Sequence, residues 1–113
     1  MARYLISFKN GDMDIPDEDL PDVARAARAV VQETKNAGVY VFSGGLPENP
    51  GYDVVATDGA VTDGPYPESK EFIGGFLVVD VTSREEAQAW AAKVAVACRC
   101  AQEVREFMPD PTV

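Results

Sequence analysis

Thr62-Asp63-Gly64-Pro65-Tyr66-Pro67-Glu68-Ser69-Lys70-Glu71-Phe72-Ile73-Gly74-Gly75-Phe76 is a turn dense in carboxylates, with one lysine, that delivers the chain into a strand carrying two adjacent glycines. The strand extends from Phe72 to Val81. Just beyond it, Ser83 with Glu86 three residues on forms a capping box, the arrangement in which side chains satisfy the free amides of a helix start. Ala87, Trp90, Ala91, Val94 and Ala97 then recur at helical spacing and predict one buried stripe. A last alternating strand, about Ala101 to Phe107, precedes a tail punctuated by Pro109 and Pro111. The second half therefore reads β-α-β.

The first half repeats that order. Arg3 to Phe8 is rich in Tyr, Leu, Ile and Phe and stops at the turn cluster Lys9-Asn10-Gly11-Asp12. After the acidic loop Asp12 to Asp19, Pro21 suits the first turn of a helix, and Asp19 and Asp22 suit its positive end. Val23, Ala27, Val30, Val31 and Thr34 predict its buried stripe, Arg25, Arg28, Gln32 and Lys35 its wet face, and Gly38 its end. Val39 to Phe42 reads as strand two, closed by Ser43-Gly44-Gly45. After a loop from Pro47 through Gly51, Asp53 to Thr57 and Ala60 to Thr62 flank Asp58-Gly59, a hairpin dipeptide.

The order β-α-β, hairpin, β-α-β predicts an α+β fold of ferredoxin-like type, with both helices on one face of an antiparallel sheet. At 113 residues the chain is expected to form one domain, residues 1–113, with one core. Its strands are apolar on both faces: Tyr4, Ile6 and Phe8 alternate with Leu5, and Tyr40 and Phe42 with Val39 and Val41. Helices cover only one face, so the other needs a partner, and a face-to-face homodimer is the simplest one.

Nineteen acidic residues against ten basic ones and no histidine give a net charge of -9, which repels phosphate backbones and anionic membranes. Direct nucleic-acid and membrane partners are not expected. The apolar run Tyr4 to Phe8 is too short for a signal-peptide core, and no stretch approaches the ~20 apolar residues of a membrane span, so the cytoplasm is the expected location. Cys98 and Cys100 are too close for an ordinary disulfide loop, and no further Cys or His completes a zinc site. They read as structural or free thiols. An extended segment would turn both to one face, where paired copies in a dimer could hold a soft metal, and Arg99 could activate a thiol. No resident metal or cofactor is expected.

The segment around Asp63-Gly64-Pro65-Tyr66 resembles the Asp-Gly-Pro-Phe signature of the DGPF group of YCII-related proteins, with Tyr66 in place of phenylalanine. The likeness runs from Arg3 to about Arg105 and implies a dimeric α+β barrel. Glu103-Val104-Arg105 is similar to the family's carboxy-terminal strand; with Val104 toward the helices, Glu103 and Arg105 turn to the barrel face with Ala101 and Phe107. An internal Glu–Arg pair is the architectural alternative. Asp63 is equally well explained by turn chemistry, and Glu68, Lys70 and Glu71 by solvation. Gly74-Gly75 marks a bulge, dimer packing or a close approach by backbone or ligand. Tyr66 lies over the cleft mouth or packs on the hairpin.

The expected cleft thus comprises Asp63, Tyr66, Glu68, Lys70, Glu103 and Arg105. Relatives look like enzymes that move protons with a histidine and an aspartate, or accompany sigma factors of the extracytoplasmic-function class. Lacking histidine, this chain cannot use a histidine base. Two readings follow. One is a binding or regulatory accessory module for a small anionic or aromatic metabolite. The other is a cofactor-independent lyase or isomerase, in which Asp63, Glu68 or Glu103 moves the proton and Arg105 or Lys70 stabilises an oxyanion or enolate.

Overall fold

The computed structural model describes residues 1–47, 53–63 and 73–112. Six strands and two helices follow one another as β1 (Ala2–Lys9), α1 (Leu20–Asn36), β2 (Tyr40–Gly45), β3 (Asp53–Val55), β4 (Val61–Asp63), β5 (Ile73–Val81), α2 (Arg84–Cys98) and β6 (Glu103–Glu106), with a 3-10 turn at Asp17–Asp19. The main sheet has the order β2-β5-β1-β6 and is antiparallel throughout. This is the expected ferredoxin-like α+β arrangement. β3 and β4 form a separate ribbon.

Local chemistry accounts for the helix ends. At the end of α1 the Gly38 amide bonds the Lys35 carbonyl (3.1 Å) and the Val39 amide bonds that of Thr34 (3.0 Å), with Gly38 at φ 76°. A left-handed residue is what this double closure requires, and glycine adopts it without a Cβ penalty. Half of the expected capping box forms in α2: the Ser83 hydroxyl accepts from the Glu86 amide at 3.1 Å, while the Glu86 carboxylate takes the Thr82 hydroxyl at 3.3 Å. The end of α2 is unusual. Arg99 adopts φ 58° there, the one non-glycine left-handed residue among those described, and its guanidinium bonds Asp19 at 2.9 Å.

Cross-strand register assigns every side chain of the main sheet to a face. Toward the helices point Tyr4 opposite Val79, Ile6 opposite Leu77 and Val104, and Ala2 opposite Val81. Tyr4, Ile6, Leu77, Val79 and Val81, with Val39, Ala87 and Ala91, form the core, against which Ala2 and Val104 pack half-buried, and Ile6, Val79 and Val81 are fully buried. Trp90 and Val94 of the α2 stripe are half-buried against it. On α1, Val23, Val30 and Thr34 are buried, whereas Ala27 and Val31 are only half-buried. The slab measures 44 × 43 × 19 Å, thin because one helical layer lies on one sheet, with layers ~10 Å apart.

Three expectations change. β2 does not stop at Phe42: Ser43, Gly44 and Gly45 stay in the ladder opposite Leu77, Phe76 and Gly75, so the glycines belong to the strand. A bulge between Tyr40 and Phe42 reverses the alternation, leaving Tyr40 with Val79 on the helix face and Phe42 with Val78 on the other. In the ribbon, the Ala56 amide bonds the Ala60 carbonyl at 2.8 Å, which makes a three-residue loop, Thr57 to Gly59, with Gly59 at φ 89°.

Candidate functional site

Of the residues expected to line the cleft, Tyr66, Glu68 and Lys70 lie outside the described residues. Asp63 is the exposed last residue of β4, opposite Asp53, and no hydrogen bond between described residues joins its ribbon to the main sheet. Glu103 and Arg105 stand on β6 as expected, opposite Ser7 and Leu5, with Val104 turned to the helices. The internal pairing differs, however. Glu103 meets Lys9 at 3.8 Å, and Arg105 has no ion pair among the described residues.

The helix-free face carries three cross-strand rows. Phe107, whose amide bonds the Arg3 carbonyl at 2.9 Å, leads to Arg3 and Asp80; Arg105 leads to Leu5, Val78 and Phe42; Glu103 leads to Ser7, Phe76 and Gly44. The centre is apolar and the margins charged. Phe42 and Phe76 are in ring contact, with centroids 5.8 Å apart, and Phe42 remains 60% exposed. At one end Arg3, Val78, Asp80 and the tail from Phe107 to Pro111 border a hollow of ≈ 700 Å³. The Asp80 Oδ1 atom is buried there without a hydrogen-bond partner among the described residues. Such an atom costs about 1–3 kcal/mol unless something satisfies it.

A second cavity, ≈ 620 Å³, lies on the helix side between α1 and the sheet. Gly44, Gly45 and Gly75 are among its lining residues. Gly45 pairs with Gly75, and Gly75 pairs with Phe8, so all three share the helix-facing side. A Cβ on Gly75 would come within 2.7 Å of the Phe8 ring, and one on Gly74 within 2.7 Å of the Asn10 Oδ1. The close approach foreseen for this pair is thus made within the chain, by Phe8 lying over Gly75, and Gly74 sits in a bulge where the register slips between Phe8 and Lys9. A Cβ on Gly45, by contrast, would meet nothing within 4 Å.

The cavity walls are mostly aliphatic and aromatic, and Arg28, Gln32 and Lys35 line it from α1. These three are exposed, which puts them at its edge. No carboxylate stands among its described lining residues. Cys98 lines it too, at the last residue of a helix and not in an extended segment. Burial, and then its neighbour Cys100, push the Cys98 thiol above its ordinary pKa; burial and then Asp12 do the same for Cys100. Arg99, engaged with Asp19, leaves both thiols protonated at neutral pH, opposite to what an activated thiol needs. No group of three metal-ligating side chains occurs among the described residues.

Neither cavity was legible in the sequence. The signal for the helix-side one was the pair of glycine doublets, Gly44-Gly45 and Gly74-Gly75, but its meaning depends on the register that brings Gly45 against Gly75.

Among the described residues no helix is long and apolar enough to cross a membrane. No curated protein matches the sequence. Among solved structures the chain is similar to 5-chloro-2-hydroxyhydroquinone dehydrochlorinase (TftG) from Burkholderia phenoliruptrix AC1100, solved in complex with 2,5-dihydroxybenzoquinone. The two share 16% identity over 97% of each chain, with a TM-score of 0.55, a likeness of fold. The model of the YCII-related domain matches residues 2–109, nearly the whole chain. By that match, and by a fold that agrees with it, the chain belongs to the YCII-related family.

Proposed function

We propose that the protein is a small-molecule-binding accessory module of the cytoplasm, acting as a single-domain homodimer, with its ligand seated in the helix-side cavity. The observation that carries this reading is an apolar cavity of ≈ 620 Å³ beside a glycine whose Cβ direction is empty. Pockets of ~300–1,000 Å³ with mostly apolar walls and a few polar groups are the usual seats of small ligands. The homodimer reading is supported by the open sheet face, where Phe42 is exposed and the Asp80 oxygen lacks a partner. A second copy on that face would bury the first and could satisfy the second. Arg105 and Glu103 would then lie within the dimer, and Asp63, Tyr66, Glu68 and Lys70 remain candidates for its cleft.

A thermal-shift screen against a panel of small aromatic compounds tests the binding reading. Hits are expected with the wild-type chain and not with Gly45→Val, whose added side chain would occupy the seat. A broad panel without a hit, or hits that survive Gly45→Val, would refute this location.

The likeness to a dehydrochlorinase favours a second reading, a lyase or isomerase whose acid–base groups are cleft carboxylates. Its acid–base group would have to be Asp63, Glu68 or Glu103, since the helix-side cavity shows no carboxylate among its described lining residues. Chloride release from 5-chloro-2-hydroxyhydroquinone, lost in Glu103→Gln, would favour it over simple binding.

A further inference from the structure

In a chain with nearly twice as many acids as bases, a base without an acid is informative. Lys9, Arg25, Arg84, Lys93 and Arg99 each stand beside a carboxylate: Glu103, Asp22, Glu106, Glu33 and Asp19. Among the described residues, Arg3, Arg28, Lys35 and Arg105 have none. Arg3 and Arg105 lie on the open sheet face. Arg28 and Lys35 share the stripe of α1 that lines the helix-side cavity, seven residues and about two helical turns apart.

The Lys35 ammonium has a neighbour, since it lies 4.9 Å from the centre of the Tyr40 ring. The Arg28 guanidinium has no hydrogen bond, ion pair or ring contact within the described chain. Its planar fork of donors matches a carboxylate better than any other common anion-binding side chain. Beside it, the cavity offers aliphatic walls, the Phe8 ring over Gly75, and the free space above Gly45.

We infer that the cavity takes a flat apolar acid, its ring between α1 and the floor formed by Phe8 and Gly45 and its carboxylate at the edge against Arg28, with Lys35 adding positive potential. The assignment rests on the binding reading above and specifies the charge and orientation of the ligand. Discrimination comes from opposite ends of the cavity: apolar burial holds the ring, while a cation at the edge distinguishes an acid from a neutral molecule of the same shape. Because Arg28 is exposed, solvent weakens the pair, and a gain of about fivefold is the expected scale.

The test compares 2-naphthoate with 2-naphthamide, near-isosteres that differ in charge, by calorimetric titration of the intact chain at low salt. Naphthoate should bind about fivefold more tightly to the wild type. Arg28→Gln should abolish that preference while leaving the amide unchanged, and added salt should erode the acid's advantage alone. Gly45→Val should weaken both compounds. Equal binding of acid and amide to the wild type, or a preference that survives Arg28→Gln, would overturn the inference and leave the cavity standing. Absence of binding by both compounds would overturn the inference, and indifference of bound ligands to Gly45→Val would remove the cavity assignment beneath it.

Discussion

The two faces of the main sheet are built from the same strands and obey opposite rules. The helix face is Tyr4, Ile6, Leu77, Val79 and Val81, almost entirely excluded from water by α1 and α2. One step along each strand, Leu5, Val78, Phe42 and Phe76 form a comparably apolar surface on the side away from α1 and α2. Apolar character therefore does not distinguish the faces; the charged margin does. Arg3, Asp80, Glu103 and Arg105 stand on the open side, where a covering partner would have to answer them. A surface of this kind is suited to association with a charge-matched partner.

Paired truncations on the two faces should differ most. Ile6→Ala should cost about 3–4 kcal/mol in urea denaturation, because it empties a fully buried site. Leu5→Ala, its neighbour on the open side, should cost under about 1 kcal/mol at concentrations where the chain is monomeric. Equal costs would mean that the two faces are equally covered. The next effect separates two glycines paired across strands. Gly75→Val must displace the Phe8 ring and should cost about 2–3 kcal/mol, whereas Gly45→Val should change stability by no more than about 0.5 kcal/mol, by thermal or urea unfolding.

A charge placed in the open face sharpens the contrast further. Val78→Asp should convert a dimer to a monomer in light scattering and leave the circular dichroism spectrum intact; an unchanged mass would refute face-to-face pairing. The smallest effect is in pH. Tyr4, Cys98 and Cys100 all have pKa values raised in the folded chain, Tyr4 by burial first and then by Glu106, whose carboxylate lies 3.4 Å from its hydroxyl. A raised pKa means that the folded state holds its proton more tightly, so this stability is fully present below the ordinary thiol value of 9.0 and declines as pH climbs past it. Unfolding midpoints should fall between about pH 9 and 11, and Cys98→Ala should flatten the early part of that decline.

Elements that announce themselves by local pattern were readable from the residues. Ser83 and Gly38 mark helix ends through contacts within a few residues, and the face assignment of Glu103 and Arg105 follows from Val104 and a period of two. Gly44-Gly45 misled because a glycine doublet is locally a turn signal; its place in β2 depends on a partner strand about thirty residues later. The bulge that parts Tyr40 from Phe42 depends on the same strand. A cavity is harder still, since it is defined by what fails to fill a space and requires knowing which helix lies over which glycine.

The strand order has a consequence for how the chain acquires its shape. Among the described residues β1 pairs with β5 and β6, and β2 with β5, so none of these main-sheet pairings falls within the first 47 residues. A ribosome that has released only this first part has exposed two apolar strands with no mate. The earliest main-sheet ladders wait for Ile73–Val81 and the β1–β6 ladder waits longer still, for Glu103–Glu106, and closing loops of this length before any sheet contact is rewarded slows folding. β5 is thus the strand on which assembly turns, and a pause in synthesis just before it would prolong the interval in which β1 and β2 can pair with the wrong chain.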